Sequence, residues 1–357
     1  MTKVTQGSVD RRVFLGVMAS GALAATSLAG GLTRHRQPGT NVFEWSQLVD
    51  GTVWVTGGAR SGGAVMVVAS EGQVLMVDAK LVGLAPLLRG EAEARAGSPV
   101  TMLLNTHHHG DHTGGNVAFT ADTQVIAHAA AVTRIGKSLD HYRQQVEGVG
   151  AFASGLGSDE ARAAALEAYE PLRDRAEAGQ IASWLPTRTV DRYPLHLPVG
   201  KVMAMVHHFG SGHTDNDLLV HLPEQNILHC GDLLFNGLHP FFDGQGGVSV
   251  AGWLRSVNLA LELCDDKTTV IPGHGPVTGQ DALRTQMHYL EGLMEEVYKA
   301  GRRGMSREEV MDLSWPFMDG LGFDTLRPRA IGIAYDEMFP QGSPGPVGDG
   351  DLETGGP

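Results

Sequence analysis

Four histidines and an aspartate crowd one short stretch, Asn105-Thr106-His107-His108-His109-Gly110-Asp111-His112-Thr113-Gly114-Gly115. Adjacent imidazoles are poor helix formers, and the neighbouring glycines bring no side chain for packing. The stretch follows the apolar run 100–104, which is predicted to be a buried strand. Since alternate residues share a side, a loop at that strand end can direct His107 and His109 towards one metal ion. Asp111 and His112 can then turn onto a second ion, about 3.5–4 Å away as in other two-metal sites.

The composition fits a folded globular protein and limits the kinds of site that it can contain. A chain of 357 residues with 42% hydrophobic and 19% charged residues is globular, which excludes a disordered chain. A formal charge of −13 disfavours nucleic acid as a partner. The two cysteines, Cys230 and Cys264, cannot form a disulfide framework or an all-cysteine zinc site. Imidazole and carboxylate ligands together suit Zn²⁺, and Fe or Mn are possible.

Short β-rich runs lie on both sides of the histidine stretch, so the sequence predicts an α/β fold. Strands are expected at residues 53–55, 64–69, 74–78, 100–104, 202–206, 218–222, 226–230 and 268–271. Helices are expected at residues 84–96, 250–263 and 281–300, and Ser306 with Glu309 forms a capping-box pattern that opens another helix. Residues 137–180 are predicted to be an insertion of two helices with glycine joints near 148–157. The Gly/Pro/Asp-rich tail, residues 341–357, is expected to be disordered.

The N-terminus has the pattern of a targeting segment. The pair Arg11-Arg12 precedes Val13-Phe14-Leu15 and a weakly apolar run with small residues up to position 29. This resembles a twin-arginine export signal over residues 1–29, which implies export of the folded protein to the periplasm or the medium. An uncleaved anchor helix is the alternative, but so short and glycine-broken a run would span a bilayer poorly. We therefore expect no stable membrane insertion after signal cleavage.

The chain resembles the metallo-β-lactamase superfamily over residues 42–279. The resemblance rests on the motif His107-x-His109-x-Asp111-His112 and on three later motifs, each after a predicted strand: Gly212-His213-Thr214, Gly231-Asp232 and Pro272-Gly273-His274-Gly275-Pro276. It implies an αββα sandwich over residues 42–336 with a helical insertion and C-terminal helices. It also implies that the metal site lies at one edge of the two sheets.

The resemblance further implies two ligand sets, taken residue by residue. The first ion is bound by His107, His109 and His213, the second by Asp111, His112 and His274, and Asp232 lies between the two ions. Two Zn²⁺ ions would lower the pKa of a bridging water towards about 7, and we hypothesise that the resulting hydroxide attacks a carbonyl carbon.

Two carboxylates receive roles in this hypothesis. Asp111 is a ligand and also the catalytic acceptor of the nucleophile's proton. Asp78 closes a predicted strand, as the corresponding acidic residue does in the family, and is expected to orient the histidine loop. The alternative for Asp78 is a plain turn cap.

The expected substrate is a small molecule with an ester-, thioester- or lactam-type carbonyl. Asp232 is similar to the bridging carboxylate of glyoxalase II, and the region 212–276 resembles exported hydrolases associated with sulfur oxidation. β-Lactamase activity is one alternative. Another is a mononuclear-iron oxidoreductase similar to the persulfide dioxygenases, and a third is a non-catalytic metal-binding module. The oligomeric state is left open.

Residues near the motifs receive weaker expectations. His239 follows Asp232 closely and is a candidate for contact with substrate. His108 occupies the variable position of the motif and is expected to point away from the ions. Cys230 is interpreted as a buried strand residue, and His128 as a packed core histidine.

Overall fold

The computed structural model of the protein describes most of the chain between residues 42 and 340. The described residues are 42–57, 62–119, 121–154, 159, 162–163, 166–167, 169–170, 174 and 184–340. The predicted export signal, residues 1–29, and the predicted tail, residues 341–357, lie outside them, as does part of the predicted insertion 137–180. In the described part of the chain, every helix falls short of the length and apolar character that a bilayer span requires.

Two sheets form the centre of the molecule. The first contains β1 to β7 in chain order: Trp45–Val49, Val53–Thr56, Val65–Ser70, Gln73–Val77, Met102–Leu104, Gln124–His128 and Arg188–Val190. Strands β1 to β4 pair antiparallel, and β4 to β7 pair parallel. The second sheet has the order β12-β11-β10-β9-β8, built from Leu195–Val199 (β8), Val202–His207 (β9), Leu219–Leu222 (β10), Ile227–His229 (β11) and Thr269–Ile271 (β12). Only its β11–β12 pair is parallel.

Helices lie between and after these strands. Those with defined bounds in the described part of the chain are α1 (Ala85–Ala96), α2 (Gly110–Thr113), α3 (Ala129–Lys137), α4 (Leu139–Glu147), α5 (Val149–Ser154), α6 (Val250–Glu262), α7 (Asp281–Arg302), α8 (Arg307–Met311) and α9 (Arg327–Met338). The hydroxyl of Ser249 accepts the N–H of Gly252 and caps α6. The capping box predicted from Ser306 and Glu309 is present at the start of α8, where both reciprocal hydrogen bonds form.

The helices and the two sheets form four layers. Neighbouring layers pack against each other through three apolar interfaces. In β3, Val67 packs with Leu88 of α1, whereas its neighbour Met66 faces the second sheet and clusters with Val220. In β10, Val220 faces the first sheet, and the adjacent Leu219 packs with helices α6, α7 and α9 on the outer side. Because strand side chains alternate between faces, each sheet is buried on both sides. The predicted α/β class and the αββα arrangement with C-terminal helices are confirmed.

The motif loops all leave strands at one edge of this sandwich. The histidine loop follows β5, His213 lies between β9 and β10, Asp232 follows β11, and His274 follows β12. Backbone hydrogen bonds join the two sheets there: the Leu218 N–H donates to the Thr106 carbonyl at 2.7 Å. The Ala64 N–H donates to the carbonyl of the residue before His274 at 2.8 Å. The fold thereby brings the motif residues of both sheets to a single edge of the sandwich.

Candidate metal centre

Three imidazoles form the first group of the centre. The Nδ1 of His109 lies 3.0 Å from Nε2 of His107 and 3.1 Å from Nε2 of His213. Zinc–nitrogen bonds of about 2.0–2.1 Å in a tetrahedron place neighbouring ligands roughly 3.3 Å apart, close to this spacing. The single lone pair of Nδ1 cannot accept a full hydrogen bond from both neighbours, whereas one cation can engage all three nitrogens.

The second group combines one carboxylate and two imidazoles. Oδ2 of Asp111 lies 3.2 Å from Nε2 of His274 and 3.5 Å from Nε2 of His112. All three side chains are buried. The three ligand atoms lie within 4.8 Å of one another, so they could hold one metal ion.

Asp232 lies between the two groups. Its Oδ1 is 3.1 Å from Nε2 of His112, and its Oδ2 is 3.3 Å from Nε2 of His274. The same Oδ2 is 3.5 Å from Nε2 of His213 and 3.7 Å from Nε2 of His107 in the first group. One carboxylate therefore reaches both groups, as a bridging ligand must.

Buried atoms without hydrogen-bond partners show that the centre fits metal ions. Oδ2 of Asp111, Nε2 of His112 and Oδ1 of Asp232 are buried and make no hydrogen bond. Although the last two atoms are 3.1 Å apart, they do not form a hydrogen bond of acceptable geometry. Unsatisfied buried polar groups are costly, and carboxylates are more costly than neutral groups. Divalent cations among these donors would remove that cost.

The charge state of the two groups differs. Burial lowers the pKa of His213 to about 3, and burial likewise lowers the pKa of His107, so both rings are neutral and carry a free lone pair. Burial raises the pKa of Asp111, but the imidazoles of His112 and His274 outweigh it and lower that pKa to about 2. Burial lowers the pKa of His274, but the carboxylates of Asp232 and Asp111 outweigh it and raise that pKa to about 9. A metal ion bound by the second group would therefore displace a proton from the imidazole of His274.

Asp78 holds the histidine loop from behind. Its Oδ1 accepts the Thr106 N–H at 2.7 Å, and its Oδ2 accepts the Thr106 hydroxyl at 2.7 Å. The same Oδ2 lies 2.7 Å from Nδ1 of His112, so that nitrogen carries the proton and Nε2 faces the centre. Because the Thr106 hydroxyl donates to Asp78, its oxygen accepts Nδ1–H of His107 at 3.1 Å. These contacts fit the orienting role expected of Asp78 better than a plain turn cap.

Glycines let the backbone approach the centre closely. A Cβ at position 63 would overlap the imidazole of His112, and a Cβ at position 273 would overlap Oδ1 of Asp232. Lys80, which the sequence analysis missed, is fully buried and donates to the carbonyls of Gly63 at 2.8 Å and Gly57 at 2.9 Å. Burial lowers the pKa of Lys80 to about 7. The lysine thus holds Gly63 against the His112 ring.

Aromatic side chains enclose the centre. The ring of Phe235 stacks on His274, with centroids 5.1 Å apart. The ring centroid of Trp253 lies 5.3 Å from that of His213, and the ring centroid of Phe241 lies 5.6 Å from that of His109. Both pairs are in edge-on geometry. Such an apolar wall limits water and strengthens electrostatic interactions inside the site.

The structure brings the seven expected ligands together but does not bring His239 to them. His239 is 1% exposed, its Nδ1 lies 3.2 Å from the Tyr289 hydroxyl, and its Nε2 lies 3.7 Å from Asp324. None of its described contacts is with the seven ligands, so its position gives no support to a contact with substrate. His108 lies outside both groups. Cys230 is 1% exposed, so it is buried as expected, but it lies directly after β11 and not in the strand.

Sequence reasoning also missed Asp243. Its Oδ2 lies 2.9 Å from Nε2 of His109 and 3.4 Å from Nε2 of His108. Burial raises the pKa of Asp243, but hydrogen bonds from His108 and His109 outweigh it and hold that pKa well below its usual range. The residue is 134 positions away from His109 in the chain, and no motif spacing connects the two.

Comparison with known proteins agrees with this geometry. The family model described as "Metallo-beta-lactamase superfamily" matches residues 58–274. A curated relative, the hydroxyacylglutathione hydrolase of Nitrosococcus oceani, is 25% identical over 228 residues. That alignment covers 62% of this chain and 65% of the relative, so the chain spans less than two thirds of that protein's length.

Solved structures show the same architecture. The VMB-1 structure has a TM-score of 0.50 at 17% identity and covers 71% of this chain and 99% of its own. The DIM-1 metallo-beta-lactamase exposed to ceftazidime also has a TM-score of 0.50 at 17% identity, covering 70% of this chain and 97% of its own. At this level of identity, the likeness concerns the fold alone.

Proposed function

The chain belongs to the metallo-beta-lactamase superfamily, and we therefore propose that it is a hydrolase that binds two zinc ions and cleaves a small carbonyl substrate. One observation carries the proposal. The donor atoms of seven side chains converge from both sheets, with neighbouring atoms 3.0–3.7 Å apart and Asp232 reaching both groups. A purely structural role would not leave buried carboxylate oxygens without partners.

The chain's own residues supply much of the chemistry. When bound, divalent cations would lower the pKa of a water towards about 7 and polarise a carbonyl group. Asp111 is ionised and buried at the centre. A carboxylate has two oxygens with about four lone-pair sites, so Asp111 can bind an ion through Oδ2 and still accept a proton. Phe235, Phe241 and Trp253 limit water around the reacting group.

Two zinc ions are favoured by the donor set. Each group offers three protein ligands beside the shared Asp232, which leaves a position for water or substrate as in catalytic zinc sites. Imidazole and carboxylate donors also accept iron or manganese. The presence of a complete second group around His112 and His274 favours two ions over one iron.

The substrate proposed is an ester, a thioester or a lactam. Among these, a hydroxyacyl thioester of glutathione is the first to test, because the named relative is a hydroxyacylglutathione hydrolase. β-Lactamase activity has weaker support, since the solved lactamase structures share only the fold at 17% identity.

A metal and substrate assay tests the proposal. We expect the chelated protein to be inactive, and two Zn²⁺ per chain, counted by plasma mass spectrometry, to restore hydrolysis. The substrate panel contains a hydroxyacylglutathione, a lactone, a chromogenic β-lactam and a phosphodiester, and we expect the thioester to react fastest. A protein that carries two zinc ions and cleaves none of the carbonyl compounds would contradict the proposal. So would one iron per chain with oxygen uptake on a persulfide.

A further inference from the structure

We infer that Asp243 is a positioning residue that turns Nδ1 of His109 towards the first ion and fixes the imidazole in that orientation. The inference rests on the proposed metal centre and adds a residue from a distant part of the chain. The three imidazoles of the first group differ in the nitrogen atom that faces the group. His107 and His213 present Nε2 to the group, whereas His109 presents Nδ1.

The outer nitrogen of His109 explains this asymmetry. Its Nε2 lies 2.9 Å from Oδ2 of Asp243, a carboxylate that can only accept. A neutral imidazole has one N–H, and this acceptor draws the proton to Nε2, which leaves the Nδ1 lone pair for the centre. Carboxylate partners of this kind fix the orientation of metal-binding histidines and raise their basicity.

His108 strengthens the argument because it presents a second N–H to the same oxygen. The amide Nδ2 of Asn216 lies 3.0 Å from Nδ1 of His108, and an amide nitrogen can only donate. The proton of His108 is therefore on Nε2, which lies 3.4 Å from Oδ2 of Asp243. Two neighbouring imidazoles thus converge on one carboxylate, and the variable position of the motif has a role outside the ligand set.

Hydrogen bonds within the loop that contains Asp243 hold its side chain in one orientation. The Gln245 N–H donates to Oδ1 at 3.0 Å, and the Gly246 N–H donates to the carbonyl of Asp243 at 3.0 Å. A Cβ at position 246 would overlap the carboxylate and lie 2.5 Å from its Cγ. Only a glycine at position 246 therefore lets the turn close on the carboxylate in its observed position.

Arg134 of α3 ties this loop to the His213 loop. Its guanidinium forms a two-point ion pair with Asp215 and donates to the carbonyl of Gln245 at 2.5 Å. The Asp215 N–H in turn donates to the Gly246 carbonyl at 2.9 Å. The segment that contains Asp243 and the segment that contains His213 are thus linked. This link keeps the carboxylate of Asp243 at a fixed position relative to the first group.

Stepwise zinc titration against a competing chelator tests the inference. We expect Asp243→Ala to weaken the binding of one of the two ions about 10- to 100-fold and to leave the other within about twofold. Anomalous diffraction then shows reduced zinc occupancy beside His109 and full occupancy beside His112. The visible spectrum of the Co²⁺-loaded protein should change in intensity, since the geometry at the first ion changes.

Two further variants keep the test decisive if Asp243→Ala does not fold. Gly246→Ala keeps the charge of Asp243 but displaces it, so we expect the same selective loss of the first ion. Gly244→Ala is the matched control in the same turn, because its Cβ would meet only Ile333, at 3.5 Å. It should bind both ions as the native protein does.

Two results would overturn the inference. In one, Asp243→Ala and Gly246→Ala both bind the first ion with native affinity. In the other, the native protein binds three ions and Asp243→Ala loses a whole ion while the remaining two keep their affinities, which would make Asp243 a ligand of its own ion. A native protein that binds two ions but hydrolyses no substrate would contradict the proposed function and leave this metal-binding test intact.

Discussion

Asp232→Asn will lower the zinc content from two ions per chain to fewer than one and slow hydrolysis by about 10³-fold, or about 4 kcal/mol of transition-state stabilisation. The amide keeps the shape of the side chain but removes the charge that reaches both ligand groups. It also places an N–H₂ group, which donates and cannot bind a cation, beside His112 or His274. Plasma mass spectrometry measures the metal and steady-state kinetics the rate.

Asp266→Asn is the matched control for charge. Asp266 is exposed at the turn before β12, so the same change there should leave metal content and rate unchanged. If Asp232→Asn retained two ions and the native rate, Asp232 would not be the bridging ligand.

Gly273→Ala should have the next largest effect, because the added methyl group has no space. Its Cβ would overlap Oδ1 of Asp232 and lie 2.7 Å from the carbonyl carbon of Gly231. Since part of the obstruction is backbone, a side-chain rotation cannot relieve it. We expect the zinc content to fall below one ion per chain and the free energy of unfolding to fall by about 1–3 kcal/mol.

Gly90→Ala is the control for this substitution. Position 90 lies within α1, and its Cβ would meet nothing within 4 Å. Alanine there should stabilise the protein by about 0.5–1 kcal/mol, since it favours a helix more than glycine does, and metal content should not change. Full zinc occupancy in Gly273→Ala would show that Asp232 can move without loss of the ions.

The central strands and long helices were predictable from sequence because their apolar patterns are strong. The predicted strands 64–69 and 226–230 correspond to β3 and β11, and the predicted helix 281–300 corresponds to α7. The predicted strands 53–55 and 74–78 correspond to β2 and β4, which both pair antiparallel with β3.

The strands absent from the predicted set are β1, β6, β7 and β8, and three of these, β1, β7 and β8, are edge strands. An edge strand pairs on one side only, so its sequence needs less apolar character and tolerates residues that interior strands exclude. Pro198 in β8 is such a residue.

The ligand residues could be recognised from motifs in the sequence. The residues that hold these ligands in position could not. Motif spacing names His109 as a candidate ligand, whereas the choice of Nδ1 depends on Asp243, far along the chain and without a motif of its own. Lys80 and Gly63 are likewise joined only by the folded backbone. His239 illustrates the reverse case: it lies near Asp232 in sequence, yet its ring packs against Tyr289.

Anomalous diffraction at the zinc edge, from crystals of the native protein grown with zinc, tests the central claim most directly. Two peaks about 3.5–4 Å apart are predicted. One should lie among His107, His109 and His213 and the other among Asp111, His112 and His274, with Asp232 contacting both. A single peak, or no peak with these side chains turned apart, would contradict the account.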